Sequence, residues 1–202
     1  MSTKILDIPY YSQFRDIKRE DWQSHACGVV CVSMTLASIK VWVDVDNLID
    51  EAIFVKGQID GKWTHNALAL LARNHGLLAY SQEFRTVSIN LEDNSCQPGV
   101  HESRFQKAGL KKIANSIDVG MPVLISVKEG FATNRSPHNV LIVVYEKAES
   151  VITSGQSKYV NITHLYVHDP DTREYEKENM KVEIGKFLEY WRLFVVFFER
   201  LK

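Results

Sequence analysis

The stretch CGVVCVSMTLASIK, residues 27–40, decides the fold. Four of its residues recur at helical spacing: Val30, Cys31, Met34 and Ser38. The stretch therefore predicts a buried helix. The residues just before it, 24–26, have the composition of a loop, so Cys27 is expected in the first turn of this helix.

Further helices are predicted on the C-terminal side of this stretch. A second helix fits residues 44–55, with Asp46 as its N-cap. A third is expected to run from a cap at Thr64 to Gly76. Residues 103–120 place apolar side chains on one helical face and predict a fourth helix.

Three other segments in the first half of the chain are not predicted to be helical. Residues 4–14 alternate around Ile5 and Ile8, a pattern that predicts an extended strand. Residues 15–25 are polar and are expected to form a loop. Residues 87–102 carry turn signals and are also expected to be a loop.

From residue 121 onward the hydrophobic period changes from helical to alternating. Four β-branched or aromatic runs predict strands: MPVLISVK (121–128), HNVLIVVYE (138–146), HLYVHDP (164–170) and LFVVFFERL (193–201). A short helix is predicted for residues 181–191. Because helices come first and strands follow, the sequence predicts an α+β fold in which the Cys27 helix packs on a mostly antiparallel sheet.

Length and composition limit the class of protein. The 202 residues are 45% hydrophobic and 24% charged, with no linker-like shift in composition, so we expect a single globular domain over residues 1–202. The net charge of -1 argues against a protein that binds nucleic acid or anionic membranes through a general basic excess. No apolar run is long enough for a membrane span, and no hydrophobic signal core follows the N-terminus. A cytoplasmic location is therefore expected.

The chain has three cysteines, Cys27, Cys31 and Cys96, in an odd set without a CxxC pair. This argues against a disulfide framework and a zinc ribbon, so free thiols are expected. Cys27 is the candidate for chemistry, because the N–H groups and the dipole of a helix N-terminus favour a thiolate. The alternative is that Cys27 is a small buried hydrophobic residue. Gly28, a poor helix former, suggests that another group approaches the backbone closely there.

A reactive thiol needs a base, and His138 is the first candidate among seven histidines. It begins a predicted strand, so its side chain would project at the rim of the sheet, although a surface histidine in a turn is the alternative. Asp169 ends the next strand on an inward face and could orient that imidazole, or its Asp-Pro pair could simply start a turn. Gln13 could donate a hydrogen bond to an oxyanion.

Two other histidines, His164 and His168, share a strand face and could hold a metal ion together with a carboxylate. No third ligand lies at a suitable spacing, and the sequence has no glycine-rich phosphate loop. We therefore expect neither a metal nor an organic cofactor.

Four short motifs together resemble the papain-like cysteine peptidases of the bacteriocin-processing type, which are the leader-cleaving domains of ABC exporters and their stand-alone relatives. The motifs are IPYYSQ ending at Gln13, CGVVCVSM starting at Cys27, PHNVLIVV around His138 and HDP with Asp169, and their order is that of the family. Three positions depart from the usual pattern: Ala26, Val29 and Pro137. The long gap between Gln13 and Cys27 is similar to that of the stand-alone group.

The resemblance implies a papain-like fold and a role for each matched residue. Cys27 would be the nucleophile, His138 the general base, Asp169 the group that orients His138, and Gln13 the oxyanion donor. The implied activity is hydrolysis of a peptide or related acyl bond in a peptide or protein substrate. A silent peptide-binding module and an acyltransferase on the same fold stay open as alternatives, as does the oligomeric state.

Overall fold

The computed structural model describes residues 6–93, 95–147, 162–173 and 176–201. Five α-helices occur in these ranges: α1 (Cys27–Ser38), α2 (Val45–Phe54), α3 (His65–Asn74), α4 (Glu102–Asp118) and α5 (Ile184–Tyr190). Short 3-10 turns lie at Glu20–Trp22 and Glu129–Phe131. None of the helices in the described ranges has the length and apolar character needed to cross a membrane.

The same ranges contain ten β-strands. They are β1 (Gln58–Ile59), β2 (Lys62–Trp63), β3 (Leu77–Glu83), β4 (Val87–Ile89), β5 (Cys96–Pro98), β6 (Val123–Lys128), β7 (Pro137–Lys147), β8 (Ile162–His168), β9 (Met180–Glu183) and β10 (Trp191–Arg200). Six of them form one sheet in the order β3-β10-β6-β7-β8-β9, and every neighbouring pair in it is antiparallel. The predicted α+β class with an antiparallel sheet is confirmed.

Helix α1 lies in the middle of the molecule. Its residues 28–37 are all buried, because the helix packs on β6 and β7 on one side and against α2 and α3 on the other. A helix that is apolar around its whole circumference needs such cover on every side. The prediction of a buried helix that begins at Cys27 and packs on the sheet is confirmed. The single domain over residues 1–202 stays a prediction.

The N-caps of α2 and α3 show how the chain is positioned next to α1. The N-cap of α2 is Asp44, whose carboxylate accepts from the Asp46 N–H at 2.9 Å, so the prediction of Asp46 as the cap is wrong. Asp46 instead accepts hydrogen bonds from the backbone N–H groups of residues 18 and 19 and fixes the loop before α1. Thr64 caps α3 as predicted, since its hydroxyl accepts from the Ala67 N–H.

Residues 6–14 of the N-terminal segment form no strand, so the strand predicted for residues 4–14 is wrong over its described part; residues 4 and 5 lie outside the described residues. Leu6 and Ile8 are buried, which explains the apolar alternation. The segment is held by single hydrogen bonds rather than by a ladder. His168 Nε2 lies 3.1 Å from the Ile8 carbonyl oxygen, and the Gln13 N–H donates to the Pro170 carbonyl at 2.9 Å.

The middle of the chain contains more strand than the sequence predicted. Residues 87–102 were expected to be a loop, but β4 and β5 pair there as a short antiparallel hairpin. Strand β3, which had no predicted counterpart, pairs with β10 along its whole length. The residues in both pairings have little strand signal in the sequence, and contacts with the partner strand stabilise their strand conformation.

Candidate active site

Cys27 is the first residue of α1 and is partly exposed, unlike the ten residues that follow it. Its N-cap residue, Ala26, provides no side-chain hydrogen bond, so no capping oxygen competes for the N–H groups of the first turn. The loop before it is held by Trp63, whose indole N–H donates to the His25 carbonyl. The thiol therefore lies at an open, positively polarised helix end.

Gly28 is required by two side chains that lie against the helix backbone. A Cβ atom at this position would lie 2.7 Å from Leu68 Cδ1 and 3.1 Å from Asn139 Nδ2. The expected close approach at Gly28 is confirmed. It lets the end of β7 that carries His138 and Asn139 lie directly beside the Cys27 turn.

His138 and Asp169 are brought together by the pairing of β7 and β8. His138 lies near the start of β7, and Asp169 directly follows the end of β8. His138 Nε2 lies 2.6 Å from Asp169 Oδ1, and both side chains are buried. The other ring nitrogen, Nδ1, is left free on the side of Cys27, whose pKa the charge of His138 lowers. Cys27, His138 and Asp169 therefore lie in a row with His138 in the middle.

The charges in this row support one another. Burial raises the pKa of Cys27, but the charge of His138 and hydrogen bonds from His138 and Asn139 outweigh it, and the pKa is lowered. Burial lowers the pKa of His138, but the Cys27 thiolate and the hydrogen bond to Asp169 raise it to about 10. Burial raises the pKa of Asp169, but the His138 hydrogen bond and charge hold it below its usual range. The shifts of Cys27 and His138 both favour a thiolate–imidazolium pair over a neutral thiol and imidazole.

Asn139 is a member of the site that the sequence reasoning missed. Its Nδ2 group donates to Cys27 Sγ at 3.6 Å, and both its side chain and its backbone contribute to the lowered pKa of the thiol. The backbone carbonyl oxygen of Asn139 accepts a hydrogen bond from the Cys31 thiol at 3.7 Å. Its Oδ1 is buried and has no partner among the described residues, so the amide orientation is set by the sulfur. The only sequence signal was its position next to His138.

We expect Asn139→Leu, which keeps the side-chain size and removes the donor, to raise the pKa of the Cys27 thiol. At pH 6, alkylation of Cys27 by iodoacetamide should slow by about five- to tenfold, because a hydrogen bond to a charged group is lost while the backbone N–H stays. Peptide mapping by mass spectrometry measures this rate, and the melting temperature of each variant controls for folding. An unchanged rate in a folded Asn139→Leu protein would remove Asn139 from the site.

Gln13 lies close to this row but is directed at a neighbour of Asp169. It is buried, and its Nε2 donates to Asp171 Oδ1 at 3.3 Å. In the part of the chain that the structure describes, no hydrogen bond joins Gln13 to Cys27, and Gln13 Oε1 has no partner. One N–H of the amide remains for another acceptor. The role of Gln13 as an oxyanion donor stays a prediction.

Lys177 ties the two carboxylates of this loop together. Its Nζ lies 3.6 Å from Asp169 Oδ2 and 3.4 Å from Asp171 Oδ2. The Asp171 N–H also donates to Asp169 Oδ1 at 3.0 Å. One ammonium group therefore steadies both the carboxylate that bonds His138 and the carboxylate that bonds Gln13. Neither Lys177 nor Asp171 had a sequence signal, since acidic and basic residues are common in this loop.

Cys31, Cys96, His164 and His168 have surroundings that differ from those of Cys27 and His138. Burial raises the pKa of Cys31 well above its usual value, and Cys96 is exposed. His164 pairs with Glu146, while His168 lies between the Ile8 carbonyl and the Asn179 N–H. Among the described residues, no group of three histidine, cysteine or acidic side chains is arranged to hold a metal ion.

Comparison with known proteins relates this site to a family. The model of the Peptidase C39-like family matches residues 5–195. No curated protein sequence matches the chain significantly.

Solved structures show the same fold at low sequence identity. A double-glycine-motif protease from an AMS/PCAT transporter, solved in complex with the leader peptide, superposes with a TM-score of 0.55 at 14% identity over 100% of both chains. A C39-like peptidase from Bacillus anthracis gives 0.60 at 16%, again over 100% of both chains. The peptidase domain of Streptococcus ComA, a bifunctional ABC transporter of a quorum-sensing pathway, gives 0.53 at 12%, over 88% of this chain and 93% of that one. The fold of this chain is the papain-like fold of C39 peptidases.

Proposed function

The chain belongs to the Peptidase C39-like family, and from this premise we propose that it is a cysteine peptidase that cleaves a peptide bond through an acyl-enzyme on Cys27. The observation that supports the proposal is the row at the N-terminus of α1, in which His138 bonds Asp169 at 2.6 Å and its charge lowers the pKa of Cys27. A thiolate–imidazolium pair of this kind is ready to attack without prior removal of a proton.

In the first half of the proposed reaction, Cys27 Sγ attacks the carbonyl carbon of the substrate, and the carbonyl oxygen becomes an oxyanion. The backbone N–H of Cys27 and the free N–H of Gln13 are the proposed donors to it, and single donors of this kind are typically worth about 3 to 4 kcal/mol. The C–N bond then breaks, and the His138 imidazolium gives its proton to the leaving amine. A thioester on Cys27 remains.

In the second half, the neutral His138 removes a proton from water, and the resulting hydroxide attacks the thioester carbonyl. The C–S bond breaks, the acid product leaves, and the thiolate–imidazolium pair forms again. Asp169 keeps the imidazole in the same orientation through both halves, because its Oδ1 holds Nε2 while Nδ1 faces the reaction.

The electrostatics of the site favour an enzyme over a silent peptide-binding module. A binding module has no use for a thiol whose pKa is lowered by a buried imidazolium and two donors of Asn139. The proposed substrate is a peptide or protein, and one structural neighbour was solved in complex with a leader peptide. Three free cysteines suit the reducing cytoplasm, which is the proposed location.

The experiment that tests this function combines a peptide library with mass spectrometry. Wild-type protein should produce new peptide termini, and acid quenching should trap a mass increase on Cys27. Cys27→Ala, purified in the same way, should show neither. Adding glycinamide distinguishes water from an amine as the acceptor. Cleavage that persists in Cys27→Ala would contradict the proposal, and products found only with glycinamide would identify an acyltransferase instead.

A further inference from the structure

Strand β10 contains a bulge next to the candidate active site. Trp191 pairs with Val127 and Val195 pairs with Ile125, so residues 192–194 lie opposite the single residue Ser126. Leu193 has a φ of 63°, which is uncommon for a branched side chain. The Trp191 indole N–H donates to the Phe194 carbonyl at 3.3 Å and holds the bulge in place. A bulge at such a place redirects side chains, here Arg192 and Phe194.

Arg192 is half-buried and has few hydrogen-bond acceptors near it among the described residues. Its Nη1 donates to the Ser126 hydroxyl at 3.0 Å, and within the described ranges no carboxylate lies within 4.0 Å of it. Arg85 stands nearby, so burial and a like charge both lower the pKa of Arg192. Arg85 has its own carboxylate, Glu83, at 2.8 Å. A guanidinium group in these surroundings leaves most of its five donors for an anion from outside the chain.

A groove with a cavity volume of about 390 Å³ opens at this position. Three cationic side chains line it, namely Arg85, Lys128 and Arg192, together with two carboxylates, Glu102 and Glu189. Neither carboxylate pairs with Arg192 in the described part of the chain. The groove therefore presents hydrogen-bond donors that a carboxylate would use.

The groove lies beside the candidate active site, at the same end of the sheet. Ser126 pairs with Asn139, whose amide contacts the Cys27 thiol, and Val127 pairs with His138. The Arg192 guanidinium bonds the Ser126 hydroxyl at 3.0 Å, and Asn139, the partner of Ser126 on the neighbouring strand, bonds the Cys27 thiol at 3.6 Å. Because neighbouring strands lie about 4.8 Å apart, these two contacts place the guanidinium group on the order of 10 Å from the thiol. An extended peptide advances about 3.3 Å per residue, so this separation corresponds to two or three residues once the reach of a side chain is included.

We propose that Arg192 binds a carboxylate of the substrate, so that favoured peptides carry an acidic residue two or three positions from the bond that is cleaved. The inference rests on the proposed peptidase function and adds the chemistry of its substrate. The carboxylate is either an Asp or Glu side chain or the free C-terminus of a short peptide. Both would make the same paired hydrogen bonds to the guanidinium group.

The test compares wild-type protein, Arg192→Gln and Arg192→Lys on internally quenched decapeptides in which one Gln at a time is replaced by Glu. A second set ends in a free carboxylate or in an amide, to separate a side chain from a C-terminus. In wild-type protein, Glu at one position two or three residues from the cleaved bond should raise kcat/KM about tenfold over Gln, as expected for a partly desolvated ion pair. Arg192→Gln should reduce this preference to below twofold, and Arg192→Lys should keep part of it.

A matched control is Arg200→Gln, which removes the same charge from the far end of β10, where Arg200 pairs with Leu77. It should keep the preference for Glu. If no peptide is cleaved, the same peptides ending in a chloromethyl ketone still report binding through the rate at which they label Cys27. Faster labelling by the Glu peptide would then support the carboxylate site while contradicting the peptidase function. A scan with no Glu-dependent position, or a preference unchanged in Arg192→Gln, would overturn the inference.

Discussion

His138→Ala is expected to lower kcat/KM for peptide hydrolysis by at least about 10³-fold, because the variant loses both the proton donor to the leaving amine and the charge that keeps Cys27 ionised. The double variant Cys27→Ala/His138→Ala should be no less active than Cys27→Ala alone, since the two residues act as a unit. The pH dependence of kcat/KM in the wild-type protein is an independent test of the role of His138. Because the pKa of His138 is raised to about 10, wild-type kcat/KM should hold up to about pH 9 and fall above pH 10 as the imidazolium loses its proton.

This prediction is checked by steady-state kinetics on one cleaved peptide, with thermal unfolding to show that each variant is folded. His138 is buried, so a cavity left by alanine is a reasonable concern. His138→Gln, which fills more of the space and still cannot transfer a proton, serves as the second variant. Activity within tenfold of wild type in a folded His138→Gln protein would exclude His138 as the acid and base.

Asp169→Asn is expected to lower kcat/KM by about 10²-fold or more while preserving the shape of the site. The amide has the same size, but its NH₂ group would face His138 Nε2, which now lies 2.6 Å from Asp169 Oδ1. Two N–H groups facing each other would disfavour a proton on Nε2. It would also leave Lys177 with Asp171 as its remaining carboxylate. Alkylation of Cys27 should slow less than in His138→Ala, because the imidazole itself stays in place.

The matched control for this substitution is Asp118→Asn. Asp118, the last residue of α4, accepts a hydrogen bond from the Tyr145 hydroxyl at 2.6 Å near the other end of β7, so the control makes the same Asp-to-Asn change at a carboxylate that bonds the same strand. It should leave kcat/KM within about twofold, which is the usual range for a change away from a site. Equal losses in Asp169→Asn and Asp118→Asn would indicate a general effect on the fold rather than an orienting role for Asp169.

The helices and strands whose hydrophobic period lies within one stretch of sequence were predicted from that period. The period of residues 27–40 predicted α1 and the place of Cys27 at its start, because burial on all sides requires an apolar helix. The β-branched runs predicted β6, β7, β8 and β10, because strands inside a covered sheet also need apolar side chains. His138 and Asp169 are 31 residues apart in the sequence, and their pairing was suggested by the inward face of Asp169 and by the order of the motifs.

Other parts of the site depend on tertiary contacts that a single sequence does not display. The amide of Asn139 bonds Cys27 because Gly28 leaves room for it, and that requirement is visible only when α1 and β7 lie together. The ion pairs of Lys177 depend on how the loop after β8 folds back. The bulge at residues 192–194 interrupts a run of residues that reads as an ordinary strand.

The central claim is that Cys27 is a thiolate held by His138, and the pH dependence of its alkylation tests this most directly. Wild-type protein, His138→Ala and Asn139→Leu are treated with iodoacetamide between pH 5 and 9, and each cysteine is followed separately by mass spectrometry. At pH 6, where an ordinary thiol is under about 1% ionised, Cys27 of wild-type protein should react fastest, ahead of exposed Cys96, with buried Cys31 scarcely labelled. His138→Ala should slow Cys27 and restore a rate that rises with pH. If Cys96 is labelled first at pH 6, and Cys27 reacts no faster in wild-type protein than in His138→Ala, the thiolate–imidazolium pair does not exist and the claim is contradicted.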